Sequence, residues 1–221
     1  MKITVFGGSK GCSCAMVKQG LVSFPDFQFT LMVRNPGTVQ FTEEEKQAIK
    51  WVKGDARSKE DVKSAIDGAD YVVTSVGSTV NMKTRAMADP GLCRDSMQTL
   101  LEVIQELPEQ VRPKRLITVS TTGVDGMSEV PYLFRPLYKY LLHAPHEDKR
   151  EMEKLVRENI VVPDWIIVRP TLLTDGAKTE KYRSGEKLCG YTISREDVGH
   201  FVLHQCLGSP QWIKKIPVVS Y

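Results

Sequence analysis

Short apolar runs alternate along the chain with stretches whose apolar residues recur at helical spacing. "KITVF" (2–6), "FQFTLMV" (27–33), "WVKGD" (51–55), "DYVVTSV" (70–76), "RLITVS" (115–120), "DWIIVR" (164–169) and "KIPVVS" (215–220) read as strands. Between them, the pattern predicts helices from the glycine turn to about Val22, over 43–50, over 58–66 with Ser58 as N-cap, over 93–107, over 148–159 and over 195–207. Repeated strand–helix alternation with almost continuously apolar strands predicts an α/β protein. Its sheet is expected to be parallel and doubly wound, with helices covering both faces. The expected organisation is a single domain over 1–221, because no linker, repeat or low-complexity tract divides it. The segment 123–145, "GVDGMSEVPYLFRPLYKYLLHAP", is the least regular and is expected to be a small substrate-side insertion.

The first strand runs directly into "GGSKGCSC", Gly7 to Cys14. In open α/β sheets ligands bind at the carboxyl ends of the strands, and the first strand–helix turn usually holds a pyrophosphate. Glycine is needed there because a side chain would keep backbone amides from the phosphate, and the following helix adds free N–H groups. Here Gly7 and Gly11 are four apart and Ser13 lies two further on, which is not the G-x-G-x-x-G spacing.

Composition narrows the function classes. The 221 residues are 41% hydrophobic and 26% charged, with 30 basic and 27 acidic side chains mixed along the chain, a net charge of +3. That balance lacks the basic run expected of a nucleic-acid partner. No apolar stretch reaches the roughly 18 residues of a membrane span, and "MKITVF" enters a strand directly, so no membrane partner and a cytoplasmic protein are expected. Five scattered cysteines (Cys12, Cys14, Cys93, Cys189, Cys206) point to a reducing compartment rather than a disulfide framework. Cys12-x-Cys14 is too tight for a structural zinc pair and has no partners at finger-like spacing, so no metal is expected. Both cysteines read better as small apolar residues behind the turn than as redox sensors.

The turn "VFGGSKGCS" is similar to the T-G-x-x-x-G-x-G turn of short-chain dehydrogenases/reductases, with Ser13 in place of the last glycine. "LMVRNP" (31–36), "VKGDARSKEDVKSAIDGADYVVTSVGS" (52–78), "LITVSTTGV", "DWIIVRPTLLTDG" and "ISREDVGHFV" extend the resemblance across nearly the whole chain. They point to the atypical branch of NAD(P)H-binding proteins, resembling NmrA and biliverdin-IXβ (flavin) reductase. The resemblance implies a Rossmann-like fold and a dinucleotide on Gly7, Gly8, Ser9, Lys10, Gly11, Cys12 and Ser13. It also implies an adenine contact at Asp55 and Ala56, a backbone wall at Ser75, Val76 and Gly77, and nicotinamide contacts at Pro170 and Thr171.

Cofactor choice can be argued at Arg34. An NAD-preferring fold ends its second strand with Asp or Glu, which accepts from the ribose 2′-OH. This chain has Arg34 followed by Asn35, and a guanidinium there suits a 2′-phosphate, with Lys10 as a second charge. NADP(H) is therefore expected.

Relatives typically reduce carbonyls with Tyr-x-x-x-Lys and a Ser or Thr. No tyrosine here is followed by lysine four residues on. Lys149 and Glu153 match the family's Lys-x-x-x-Glu, which puts the tyrosine slot at Pro145 and leaves Lys149 as a ribose ligand or an ordinary helix pair. The hydroxyl position falls among Ser120, Thr121 and Thr122. His143, His146, Tyr138 and Tyr140 are the alternative proton donors, His146 foremost. The expected function is an NADP(H)-dependent oxidoreductase passing hydride to a small aromatic or conjugated acceptor of flavin, quinone or carbonyl type. The rivals are a non-catalytic NADP(H) sensor of NmrA type and an isomerase or dehydratase on the same fold. A small-molecule substrate and a monomer or homodimer complete the expectation.

Overall fold

A computed structural model of the chain describes residues 1–79, 87–140 and 142–221. Leu141, inside the expected insertion, lies outside the described residues. The strands are β1 (Lys2–Phe6), β2 (Gln28–Val33), β3 (Ile49–Lys53), β4 (Tyr71–Thr74), β5 (Arg115–Val119), β6 (Asp164–Pro170), β7 (Leu172–Thr174), β8 (Arg183–Gly185), β9 (Thr192–Ser194) and β10 (Val218–Ser220). Eight of them form one sheet in the order β3-β2-β1-β4-β5-β6-β10-β8, parallel except for β8, which runs antiparallel to β10. The strands β7 and β9 form a separate parallel pair.

This is the doubly wound order, in which β2 and β4 flank β1 on opposite sides and the chain reverses direction of travel there. Helices α1 (Gly11–Ser23) and α7 (Arg195–Phe201), with a π-helical continuation over Val202–Leu207, cover one face. Helices α3 (Lys59–Ile66), α4 (Leu92–Glu106) and α6 (His143–Glu158) cover the other. Each face has its own apolar core. Ile3, Val5, Leu31, Phe201 and Val219 belong to one, and Phe6, Val72, Leu116, Ile104 and Met152 to the other. Alternating residues of the same strand thus feed opposite cores, as near-continuous apolar strands require.

Several boundaries differ from the sequence pattern: β3 covers Ile49–Lys53 rather than 51–55, β4 and β10 are shorter than expected, and two helices differ as well. The segment expected as helix over 43–50 is helical only at α2 (Glu43–Gln47), and Ile49 already pairs with Phe29 as the start of β3. Thr42 and Glu45 form a reciprocal capping box at its start, which makes so short a helix stable. Helix α6 begins at His143 rather than near Asp148, so Pro145 stands in its first turn, where its missing N–H costs nothing. The 123–145 segment is more regular than expected. It holds a 3₁₀ turn (Tyr132–Phe134), the short helix α5 (Arg135–Tyr140) and the first turn of α6.

Candidate functional site

A cleft of about 610 Å³ opens at the carboxyl ends of β1, β2, β4 and β5. Its floor is the glycine turn. Gly7 has φ +76°, and a Cβ there would stand 2.8 Å from the Ser75 carbonyl carbon and the Val76 nitrogen, so the turn can lie against the end of β4 only as glycine. Gly11 has φ +74°, and a Cβ there would meet only the Arg195 side chain, at 3.9 Å, so the fold requires glycine there for its backbone conformation. Gly8 is inside the fold; a Cβ would press on Val5 and Leu31 at 3.0–3.1 Å.

The N-terminus of α1 is left open. Its N-cap, Lys10, makes no side-chain cap bond, and no acidic residue lies in the first turn. Free amides and the positive end of a 13-residue helix therefore face the cleft. Together with the glycine turn, this is what a dinucleotide diphosphate requires.

Lys149 reaches the cleft from α6. Its ammonium donates to the carbonyl oxygens of Val76 and Val119, each at 2.9 Å, so it bridges the chain just beyond β4 and the end of β5. Glu153, four residues on, has different partners. It is fully buried and binds Arg169 through Nε at 3.0 Å and Nη2 at 2.5 Å. Arg169 also binds Glu129 at 2.7 Å and Asp125 at 2.5 Å. Burial alone disfavours the Arg169 charge, but Glu153, Asp125 and Glu129 outweigh it and hold its pKa above the ordinary arginine value. The reading of Lys149 and Glu153 as an ordinary helix pair is thereby corrected. Each has partners of its own.

Ser120 lines the cleft, 5% exposed, and its hydroxyl has no partner among the described residues. Its neighbours do not share that position. Thr122 is 1% exposed and bonds the Tyr138 hydroxyl at 3.2 Å, and Thr121 is half-buried and away from the cleft walls.

His146 is not brought to the cleft. It is buried beside Tyr138, with ring centres 5.2 Å apart. Burial, helped by the nearby charges of Arg150 and His143 and opposed by Glu147, pushes its pKa down to about 4. The imidazole is therefore neutral near pH 7 and has no acidic proton to give. Pro145 and Tyr138 also lie away from the cleft walls.

The cleft walls include Gly7, Ser9, Lys10, Gly11, Cys12, Arg34, Asp55, Ala56, Ser75, Val76 and Gly77, all named from the sequence. They do not include Gly8, Ser13, Asn35, Pro170 or Thr171. Ser13 is 1% exposed, its hydroxyl inside the fold and without a partner among the described residues. Asn35 caps the 3₁₀ turn Pro36–Thr38 by accepting from Gly37 N. Pro170 ends β6, and the Thr171 hydroxyl meets Ser220 at 3.1 Å. Burial pushes the Cys12 thiol up to about 12 and Cys14 to about 11, so both are inert apolar side chains at neutral pH.

Arg34, 70% exposed, stands at the rim with its guanidinium 3.9 Å from Asp89. Arg57 holds that carboxylate more tightly, at 2.8 Å. Asp55 accepts from the backbone N–H of Arg57 at 3.0 Å, shaping the turn after β3. The walls also contain residues the sequence did not single out: Gln40, Leu92, Leu173, Asp175 and Arg195 among them. Gln40 is held by its N–H to the Ser9 carbonyl, and Leu173 belongs to a three-residue strand too short to leave a pattern.

Among the described residues no group of His, Cys, Asp or Glu could hold a metal ion, and no helix is long and apolar enough to cross a membrane.

Fold and cleft together define a Rossmann-like protein with a cleft at the strand ends. Residues 8–209 match the NAD(P)H-binding family, and the chain belongs to it. Among curated proteins it is 35% identical over 159 residues to "Reductase pytE" of Aspergillus terreus, and 29% identical over 174 residues to "Oxidase pynE" of Aspergillus niger. These matches cover 62% and 65% of this chain and 60% and 62% of the relatives, so the chain aligns with only about three fifths of their length. Its fold is shared with a short-chain dehydrogenase/reductase from Veillonella parvula solved in complex with NADP (TM-score 0.76, 19% identity, 100% of this chain and 94% of that one). It is shared too with ChuY, an anaerobillin reductase from Escherichia coli O157:H7 (TM-score 0.76, 18% identity, 100% and 97% covered).

Proposed function

We propose that the protein is an NADPH-dependent reductase that delivers hydride to a small conjugated acceptor of flavin, quinone or carbonyl type. The family and the reductase and oxidase names of its relatives support the oxidoreductase class. Support for NADPH over NADH comes from the end of β2, where the chain has Arg34 and Asn35 in place of the acidic residue that would accept from a 2′-hydroxyl.

The bound nucleotide supplies the hydride. The chain's own residues do the rest. The turn Gly7–Gly11 and the open end of α1 hold the diphosphate, and Asp55 and Ala56 border the adenine. Lys149 is fixed by two carbonyls, and its third N–H, which meets only the weak acceptor Met152 Sδ at 4.0 Å, is the one offered to the nicotinamide ribose. Ser120 offers a free hydroxyl that orients an acceptor oxygen or nitrogen.

One observation carries the acceptor class. Among the described residues lining the cleft there is no tyrosine and no histidine. A conjugated acceptor suits such a site, because the anion left after hydride addition is delocalised and takes its proton from water.

The same observation favours a second reading, a sensor that binds the nucleotide without turning it over. Titration with NADPH and NADH, followed by NADPH oxidation assays with free flavins, quinones and conjugated carbonyls, separates the two. NADPH-selective binding with turnover of an acceptor supports the reductase. Tight binding with every acceptor inert supports the sensor.

A further inference from the structure

The glycine turn is only part of the charge that surrounds the cleft. Arg195, the first residue of α7, also lines it, beside Gly11 and Cys12. Its Cδ lies 3.9 Å from where a Cβ on Gly11 would stand, and its charge is felt at the Cys12 thiol.

The placement is forced by packing. Helices α1 and α7 cross so closely that a Cβ on Gly199 would stand 2.6 Å from the Met16 nitrogen. Arg195 is one turn before Gly199 on the same face, and Gly11 and Cys12 are about one turn before Met16. The close crossing at Gly199 therefore brings Arg195 over the open end of α1. The start of α7 is itself pinned. Ser194 accepts from the Asp197 N–H at 3.0 Å, and Asp197 accepts from Thr179, Glu180 and the Tyr221 hydroxyl.

Arg195 has one ion-pair partner among the described residues, Asp175, at 2.6 Å. Asp175 is 89% exposed while Arg195 is 35% exposed. An ion pair so open to water holds its cation weakly, whereas a phosphate can take a guanidinium through two parallel bonds.

We propose that Arg195 is a diphosphate ligand of the bound dinucleotide, displaced by it from Asp175. Arg195 then supplies the full positive charge that the partial charges of α1 lack. The proposal rests on nucleotide binding in this cleft, but not on the choice between NADPH and NADH, since both carry the diphosphate.

The test is equilibrium titration of the full chain and of Arg195→Gln, Arg195→Lys and Arg34→Gln with NADPH and with NADH, alongside thermal melting without nucleotide. Arg195→Gln is expected to weaken both nucleotides alike, by about 10- to 100-fold, which is the worth of a charge-assisted pair. Their affinity ratio should stay at the parent value. Arg195→Lys should recover part of the loss, and Arg34→Gln should change the ratio instead. Parent-like binding by Arg195→Gln overturns the proposal, as does a loss confined to NADPH. If Arg195→Gln melts well below the parent, Arg195→Lys decides: a folded lysine variant that binds no better than the glutamine variant also overturns it. Failure of the parent protein to bind either nucleotide overturns the nucleotide reading and this proposal together.

Discussion

Asp148 of α6 caps α4, an element that begins 56 residues earlier. Its two carboxylate oxygens accept from the backbone N–H of Cys93 at 3.0 Å and of Arg94 at 2.9 Å. Helix α4 has Gly91 as N-cap, which offers no side chain of its own, so the cap comes from another helix. The next residue after Asp148 is Lys149. The cap that docks α6 on α4 therefore also sets where the Lys149 ammonium meets Val76 and Val119.

Asp148→Ala is expected to cost about 1–2 kcal/mol of stability, the usual worth of a lost N-cap. It should also weaken nucleotide binding, through Lys149, by more than that stability loss explains. Urea unfolding and NADPH titration on the same variant check both halves. Unchanged nucleotide affinity would break the link from the cap to the ammonium.

Arg34→Ala should lower NADPH affinity by about 10- to 100-fold and leave NADH affinity nearly unchanged, since only the 2′-phosphate loses a charge-assisted partner. Asp89, already held by Arg57 at 2.8 Å, stays neutralised in the variant. Equal losses for the two nucleotides would remove the 2′-phosphate from Arg34.

Ser120→Ala removes a hydroxyl that no group among the described residues uses, so the fold should not notice. If the hydroxyl orients the acceptor, kcat/KM for the acceptor falls about tenfold while NADPH affinity holds, a loss of about 1.4 kcal/mol in the transition state. The same loss in a nucleotide titration would place Ser120 on the cofactor instead.

Glu153→Gln leaves Arg169 charged and buried with only Asp125 and Glu129. Breaking one arm of a buried ion cluster is expected to cost about 2–4 kcal/mol. A lower urea midpoint at constant slope is the readout. A change below about 0.5 kcal/mol, the usual range of surface substitutions, would mean that the other two carboxylates suffice.

His146 gives the protein a pH dependence of known sign. Its folded pKa, about 4, lies below the ordinary value of 6.5, so the unfolded chain binds the proton first. The cost is absent above pH 6.5, grows as pH falls toward 4, and reaches about 2–3 kcal/mol. His146→Phe should flatten that part of the stability profile relative to the parent. Arg150, His143 and Glu147 around it are retained, and Tyr138 still packs against the ring. Parallel profiles for the two proteins would show that His146 does not carry the acid sensitivity.

The apolar runs made β1, β2, β4, β5 and β6 legible because each strand is buried on both faces. The pattern does not reach β7, β8 and β9, which have three residues each and depend on tertiary pairing. At Gln47–Ile49 a short capped helix and a strand lie one residue apart, closer than helical or alternating periodicity can resolve. The glycine turn could be read because φ and close approach constrain the residue type locally. Arg195 could not, because its place in the cleft depends on how tightly α1 and α7 cross. The spacing of Lys149 and Glu153 was visible, but not that one looks up to the strand ends and the other into the core.

Gly7 and Gly11 look interchangeable in the sequence, yet the chain tolerates change at them unequally. At position 7 any Cβ meets backbone, so every substitution must move β4 or the turn. At position 11 the fold itself constrains only handedness, since the one neighbour within 4 Å is the flexible Arg195 side chain, although a side chain there would also enter the cleft. Asparagine, the residue that visits left-handed backbone most readily after glycine, should be accepted there at a cost of about 1 kcal/mol. Of these two glycines, position 11 is therefore the one at which the fold leaves room for change, and any penalty there would show in nucleotide binding before it shows in stability.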